Sequence, residues 1–197
     1  RGILLEEVYD VIVAGAGPAG SACAAYLGRA SKKVLLLDKA KFPRDKTCGD
    51  ALSGKARRVI RELGLGEKIA QLPHSQIKGV AFSSPSGKVV EIGFAKNDPN
   101  REGGSGFCMK RIYTDKMFFD EAKSTPHVTV KENFLVSEVV FEGGRAVGVR
   151  GIDINDARKE RVFNAKIIVG ADGVNSMVAR SVLGERANLD PRHSCDA

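Results

Sequence analysis

Three stretches of the chain hold residues whose types and spacing could do chemistry. The first is Gly15-Ala-Gly17-Pro-Ala-Gly20, set between a β-rich apolar run at 9–14 and an Ala-rich run at 21–30. In a strand–turn–helix setting each glycine has a task. Gly15 allows the tight turn, Gly17 lets the backbone approach a pyrophosphate, and Gly20 lets the helix pack on the sheet. The helix start then offers N–H groups and the positive end of its dipole to phosphates. Asp38 lies 18 residues past Gly20, at the end of the apolar run Val34-Leu-Leu-Leu, where a carboxylate can accept hydrogen bonds from ribose hydroxyls. The second stretch, 42–50, carries Cys48 and Gly49 with Arg44 and Lys46 nearby in sequence; a reactive thiol needs such electropositive neighbours. The third is the apolar run 167–170 leading into Ala171-Asp172-Gly173, a strand end followed by a glycine-containing loop.

The elements that must position these residues follow from the apolar pattern. The runs at 9–14 and 34–38 read as buried parallel strands flanking a helix at 21–30, a βαβ unit of about 30 residues. A loop at 39–54 precedes a helix at 55–65, with Val59, Ile60 and Leu63 at helical spacing and Gly64 as its stop. Alternation through Val80, Phe82, Val89, Ile92 and Phe94 around Ser84-Pro-Ser-Gly87 predicts a β-hairpin over 77–94. The polar, Gly-rich stretch 97–106 reads as an exposed loop. A short helix is expected over 114–123, with Asp115 in its first turn and Met117, Phe118 and Ala122 to bury. Strands follow at 128–130, 135–141, 146–152 and 162–169, with a turn at 142–145, and a helix at 176–183. The βαβ unit, 128–130 and 167–170 would share a parallel sheet, and 135–162 would form a small antiparallel meander. The expected fold class is α/β, Rossmann-type, with added β-structure.

Composition narrows the field. The 197 residues are 43% hydrophobic and 28% charged, enough to build a core and unlike a disordered chain. No run approaches the roughly 18 apolar residues of a membrane-spanning helix. The balance of 31 Lys+Arg against 24 Asp+Glu leaves a net charge of +7, which permits acidic partners without naming one. With no Trp and 6% aromatics, little is available for stacking bases, so nucleic acid is not expected as a partner. Cys23, Cys48, Cys108 and Cys195 form no CxxC pair, and His74, His127 and His193 stand at no metal-ligand spacing; no metal site is expected. Scattered thiols in a chain of this size read as reduced and intracellular, which gives a cytoplasmic expectation.

The run Phe42-Pro-Arg-Asp-Lys-Thr-Cys-Gly-Asp50 resembles the Pro-x-x-Lys-x-Cys-Gly signature of the geranylgeranyl reductase family. These are FAD-dependent oxidoreductases of the p-hydroxybenzoate hydroxylase architecture that saturate isoprenoid double bonds. Lys110-Arg111 followed by Asp115 is similar to the family's Arg-x-x-x-Asp element. Val136 before Glu142-Gly-Gly-Arg-Ala-Val-Gly148, and Ala171-Asp-Gly173 before Asn175-Ser176 and Val178-Ala-Arg180, complete the likeness. It runs from about Tyr9 to Leu183. The resemblance implies FAD as cofactor and NAD(P)H or ferredoxin as electron donor. Gly15, Gly17 and Gly20 would hold the pyrophosphate and Asp38 the adenosine ribose. Cys48 and Gly49 would lie beside the isoalloxazine, with Cys48 as the candidate catalytic side chain. Arg111 would contact the ribityl–phosphate region and Val136 the adenine. Asp172 and Gly173 would order the loop near the flavin.

The same resemblance implies a division into 1–72 (FAD-binding βαβ and Cys-Gly loop), 73–110 (the partial hairpin of a substrate domain), 111–183 (the rest of the FAD-binding domain, with meander and Asp-Gly loop) and a tail at 184–197. The family's third cofactor motif, a Gly-Asp strand end, is not reached, and the chain starts at Arg1 without an initiator Met. The expectation is therefore an N-terminal portion of a longer protein. The substrate would be an apolar small molecule or lipid, with peripheral membrane contact as a consequence. Alternatives on the same scaffold are a flavoprotein monooxygenase or halogenase, and an inactive nucleotide-binding module. The remaining candidates have plain structural readings. Cys23 reads as core packing, Cys108 beside Met109 as a buried strand residue, and His74 and His127 as surface residues. Arg111 could be a solvated strand end, Cys48 could be a small loop residue, and His193 and Cys195 carry no weight.

Overall fold

The computed structural model describes residues 8–52, 55–93 and 106–184. In chain order the first elements are β1 (Val8–Ala14), α1 (Pro18–Arg29), β2 (Val34–Leu37), β3 (Ala51–Leu52), α2 (Lys55–Glu62) and α3 (Gly66–Gln71). Next come β4 (Ser75–Ile77), β5 (Gly79–Ser83), β6 (Val89–Gly93), β7 (Gly106–Cys108) and α4 (Arg111–Ser124). The last are β8 (Val128–Lys131), β9 (Phe134–Glu142), β10 (Arg145–Asp153), β11 (Lys159–Gly170) and α5 (Met177–Leu183). The described residues divide into two compact units. Those within 1–44 and 118–197 make the first, and those within 45–117 the second.

The first unit is built on a six-stranded sheet of order β8-β2-β1-β11-β10-β9. β8, β2, β1 and β11 run parallel, and β11, β10 and β9 antiparallel. β2 is buried along its whole length and β1 over most of it, because strands covered on both faces must be apolar at every position. On one face Val11, Val13, Val34 and Leu36 pack with Ala24, Phe42, Phe119 and Ala122. The Phe42 and Phe119 rings stack in parallel with centroids 4.1 Å apart. On the other face Ile12, Leu35 and Leu37 pack with Phe134, Val149 and Ala165. β11 serves two pairings in one run: Lys159–Asn164 pairs with β10 and Asn164–Gly170 with β1. The two strands expected at 162–169 and 167–170 are thus one. The fold is the Rossmann-type α/β arrangement with an antiparallel meander that the pattern predicts.

The second unit holds a three-stranded antiparallel sheet, β3-β7-β4, and a two-stranded one, β5-β6. Ile60, Leu63, Leu65, Ile69, Met109 and Met117 are its buried apolar side chains. The hairpin around Ser84–Gly87 is present, with Gly87 at φ +80° and its N–H on the Ser84 carbonyl. It starts at Gly79 rather than 77, since Ile77 pairs with Gly106 in the other sheet. Phe94 and most of the loop expected at 97–106 lie outside the described residues. Gly106 opens β7 and is buried, which corrects its assignment to an exposed loop.

Other corrections concern element ends. α1 begins at Pro18 rather than 21, because proline's missing N–H costs nothing in a first helical turn. α4 begins at Arg111 rather than 114, because Tyr113 and Thr114 N–H both bond back to the Lys110 carbonyl. Arg111 therefore opens a helix and is not a strand end. α3 was not anticipated; its six residues bury only Ile69 and show no long apolar period. Cys108 lies in a strand as expected but is exposed, while its neighbour Met109 takes the buried place. Cys23 packs against the core, and His74 and His127 are exposed. No helix among the described residues is long and apolar enough to cross a membrane.

These packing differences predict a contrast in stability. Phe119→Ala should cost about 3–5 kcal/mol, since the ring is 2% exposed and stacked. Ile167→Ala, at a side chain 56% exposed, should cost less than about 1 kcal/mol. Denaturant unfolding of both variants checks the difference.

Candidate functional site

Parallel strands in register end together. Ala14 of β1 lies opposite Leu37 of β2 and Gly170 of β11, so the residues that follow each strand meet at one edge of the sheet. Backbone hydrogen bonds close that edge: Gly15 N–H donates to Leu37 O at 2.7 Å and Ala171 N–H to Ala14 O at 2.7 Å. Gly15 takes φ +100°, and a Cβ there would stand 2.3 Å from the Ala171 carbonyl oxygen. A Cβ at Gly20 would stand 1.8 Å from the Gly15 oxygen. Both glycines are thus required by close backbone approach.

Gly17 is the N-cap of α1, with φ −64° and ψ −178° and no side chain capping the helix. Its N-terminal N–H groups are therefore available to a ligand from the direction of the turn. Any residue can adopt that conformation, so a need for glycine there comes from what approaches it. Asp38 sits just past β2. One carboxylate oxygen accepts from Ala16 N–H at 2.7 Å and the other from Ala40 N–H at 2.8 Å. Each oxygen retains a second lone pair that a hydroxyl could use.

The loop after β11 is ordered by Asp172. Its Oδ1 accepts from Ser176 Oγ at 2.5 Å, and its Oδ2 from Met177 N–H at 2.7 Å and Val178 N–H at 3.3 Å. Ser176 in turn accepts from Ala179 N–H at 2.9 Å and caps α5. Gly173 follows at φ +83°. Val136 on β9 packs against the cluster of Ala14, Val139 and Val178, which brings the meander to the same end of the sheet. Gly15, Gly17, Gly20, Asp38, Val136, Asp172 and Gly173 thus gather at one edge of the first unit. The arrangement can seat a pyrophosphate on the turn and α1, with a carboxylate for a ribose, as open parallel sheets do at their carboxyl ends.

Cys48, Gly49 and Arg111 belong to the second unit. Ala51 pairs with Cys108, and Met109 N–H donates to Asp50 O at 2.9 Å, so the Cys48 loop runs antiparallel to the segment entering α4. Cys48 is exposed, and a Cβ at Gly49 would meet nothing within 4 Å. The Asp50 backbone N–H and then the Arg111 guanidinium hold the Cys48 thiol below its ordinary value of 9.0. Arg111 is also gripped by Asp115, Nε to Oδ1 at 2.5 Å and Nη2 to Oδ2 at 2.9 Å. That grip raises the guanidinium above its ordinary value. Asp115 is fully buried, and it lies in the second turn of α4 rather than the first. The electropositive neighbour that acts on Cys48 is therefore Arg111. Arg44, singled out for that part by sequence proximity, stacks over the Phe42 ring at 5.1 Å. The Lys46 N–H bonds to the Asp45 carboxylate. The i,i+4 spacing of Arg111 and Asp115 is visible in the sequence; the burial of Asp115 is not.

Comparison with known proteins places this geometry. Residues 8–189 match the family model described as an FAD binding domain. Conditioned medium factor receptor 1 of Dictyostelium discoideum is 36% identical over 183 residues, covering 90% of this chain and 36% of that protein. A digeranylgeranylglycerophospholipid reductase of Methanococcus vannielii is 29% identical over 177 residues, covering 89% of this chain and 40% of that protein. Among solved structures, the myxobacterial chondrochloren halogenase, an FAD-dependent halogenase, superposes with a TM-score of 0.73 at 29% identity. That match covers 82% of this chain and 36% of the halogenase. The chain spans 36% and 40% of the length of the two curated relatives.

The capping role of Asp172 gives a test. Asp172→Ala should cost about 0.5–2 kcal/mol, the usual range for a lost helix cap. Amide hydrogen exchange should accelerate first at Met177 and Val178.

Proposed function

The chain belongs to the FAD binding domain family, and from that premise we propose that it is the cofactor-binding portion of an oxidoreductase that saturates C=C bonds of an isoprenoid chain. The observation that carries the reading is the Cys48-Gly49 loop, with its exposed thiol under Arg111. The likeness to the digeranylgeranylglycerophospholipid reductase, over 89% of the chain, supports it. The residues present fit FAD. Gly15 and Gly20 leave no room for side chains in the turn, α1 starts without a side-chain cap, and Asp38 keeps acceptor capacity.

In this reading Gly15, Gly17 and Gly20 with the start of α1 hold the pyrophosphate. Asp38 accepts from the adenosine ribose and the backbone at Val136 holds the adenine. Asp172 and Gly173 keep the loop after β11 in place, and Arg111 contacts the ribityl–phosphate region. When bound there, FAD would supply hydride transfer, with a nicotinamide or ferredoxin as the source of electrons. Saturation of an alkene places that hydride on one carbon and a proton on the other. An unactivated alkene accepts hydride poorly, so an acid must support cationic character. A thiol held below its ordinary value is a stronger acid than a free one, and open to solvent it can regain its proton from water; Cys48 takes that part. Residues 73–110 begin a substrate domain in this proposal. There the hairpin pairs Val80 with Ile92 and Phe82 with Val90, an exposed apolar face suited to an apolar substrate. Such a substrate implies contact with a membrane periphery.

A second reading, a halogenase or monooxygenase, is favoured by the 0.73 superposition on the halogenase. The Lys46-x-Cys48-Gly49 run separates the two, since ordinary aromatic hydroxylases generally lack it.

Two measurements check the proposal. The purified protein should show a flavin absorption spectrum and release FAD on denaturation; a protein that stays colourless with added FAD would favour an inactive module. With isoprenoid substrates, Cys48→Ala should slow saturation by about a hundredfold and leave FAD content unchanged. Unchanged turnover removes Cys48 from the reaction, and oxygen consumption coupled to a hydroxylated or halogenated product removes the reductase reading.

A further inference from the structure

We propose that Asp115 is a positioning residue that fixes the Arg111 guanidinium against Cys48 and makes Cys48 a reactive thiol. Its catalytic use rests on the function proposed above; the arrangement itself does not.

The argument begins with the cost of burial. A carboxylate with no exposed surface is stable only when paired and hydrogen-bonded. Asp115 meets that condition through both oxygens, on Nε and Nη2 of Arg111. Two parallel bonds fix a planar fork, not merely a charge. The side chain of Arg111 is 16% exposed, so this fork is held at the protein surface with one side turned away from Asp115. The antiparallel run of the chain decides what lies there. Beyond the pairing of Ala51 with Cys108 and the bond between Asp50 and Met109, Cys48 and Arg111 each stand two residues further along their segments, and there the guanidinium hydrogen-bonds the thiol. α4 is locked at this end as well: Thr114 Oγ1 donates to the Met109 and Lys110 carbonyls at 3.4 Å, and Tyr113 and Thr114 N–H bond to Lys110 O. The guanidinium is therefore anchored by its own helix, and the thiol is carried past it by the loop.

Arg111 and the Asp50 N–H favour the thiolate, and the Asp50 carboxylate opposes it. Asp115 stands behind Arg111 and acts through it. By contrast, burial pushes the Cys23 thiol up. Selective reactivity at Cys48 is the consequence, because the thiolate is the nucleophile.

The test needs neither cofactor nor substrate, so its failure is separable from failure of the proposed function. The whole protein, folded and unfolded in denaturant, is alkylated with iodoacetamide across a pH series, and Cys48 is followed by peptide mass spectrometry. The S–C bond forms from the thiolate, the C–I bond breaks, and iodide leaves. The Cys48 rate profile should have its midpoint lower in the folded protein than in the unfolded one. Asp115→Asn and Arg111→Gln should both move it upward. For each unit of upward movement the thiolate fraction falls tenfold while its intrinsic nucleophilicity rises about threefold. Alkylation near pH 7 should then slow by roughly threefold per unit. A midpoint equal in the folded and unfolded protein overturns the proposal. So does a shift in Arg111→Gln with none in Asp115→Asn, which leaves Asp115 a structural ion-pair partner. If Asp115→Asn loses its wild-type circular dichroism, Arg111→Lys replaces it. That variant keeps the charge and gives up the fork, so an upward shift supports positioning and an unchanged midpoint overturns it.

Discussion

A side chain at position 15 would have to share space with the Ala171 carbonyl. That contact is the constraint on which the first unit depends. β1, β2 and β11 end in register, and the chain leaving β1 must turn beneath the chain leaving β11. With Gly15 in the left-handed region, its N–H reaches Leu37 and the Ala14 carbonyl is left for Ala171. With Gly20 beside the Gly15 oxygen, α1 can start directly on the turn. The absence of two side chains thus lets three strand ends and one helix start share a single place, the place where a pyrophosphate can be held on backbone N–H groups.

β11 extends this constraint into the meander. Asn164 is the residue at which the strand exchanges one neighbour for another, pairing with Gly148 of β10 and with Val8 of β1. A twelve-residue strand is thereby antiparallel at its start and parallel at its end. The meander it anchors returns Val136 and Val139 to Ala14 and Val178. Asp172 then spends its carboxylate on Ser176, Met177 and Val178, so its contribution is to loop order and to the start of α5.

The second unit relies on electrostatics more than on backbone approach. Its buried carboxylate, Asp115, is compensated by a bidentate arginine, and the same arginine reaches the thiol of an exposed loop. One cation is shared between a fully buried anion and a solvent-facing nucleophile. The buried partner fixes position, and the exposed partner can react.

Much of this was legible in the sequence. The Gly-x-Gly-x-x-Gly turn, Asp38 at the end of an apolar run, the parallel strands and the meander all follow from short-range pattern, because strand burial and tight turns constrain residue type locally. What tertiary structure decided was long-range. Nothing near Gly15 in sequence announces Ala171, whose carbonyl comes from more than 150 residues away. Arg44 and Lys46 stand closer to Cys48 in sequence than Arg111 does, yet Arg111 is the cation at the sulfur, since antiparallel pairing sets distance in space without regard to separation along the chain. Cys108 reads as a buried strand residue, yet it ends β7 exposed, and it is Met109, just past the strand with its N–H on the Asp50 carbonyl, that is buried. The helix starts at Pro18 and Arg111 were settled by backbone bonds to Gly17 and Lys110, interactions that side-chain periodicity does not encode.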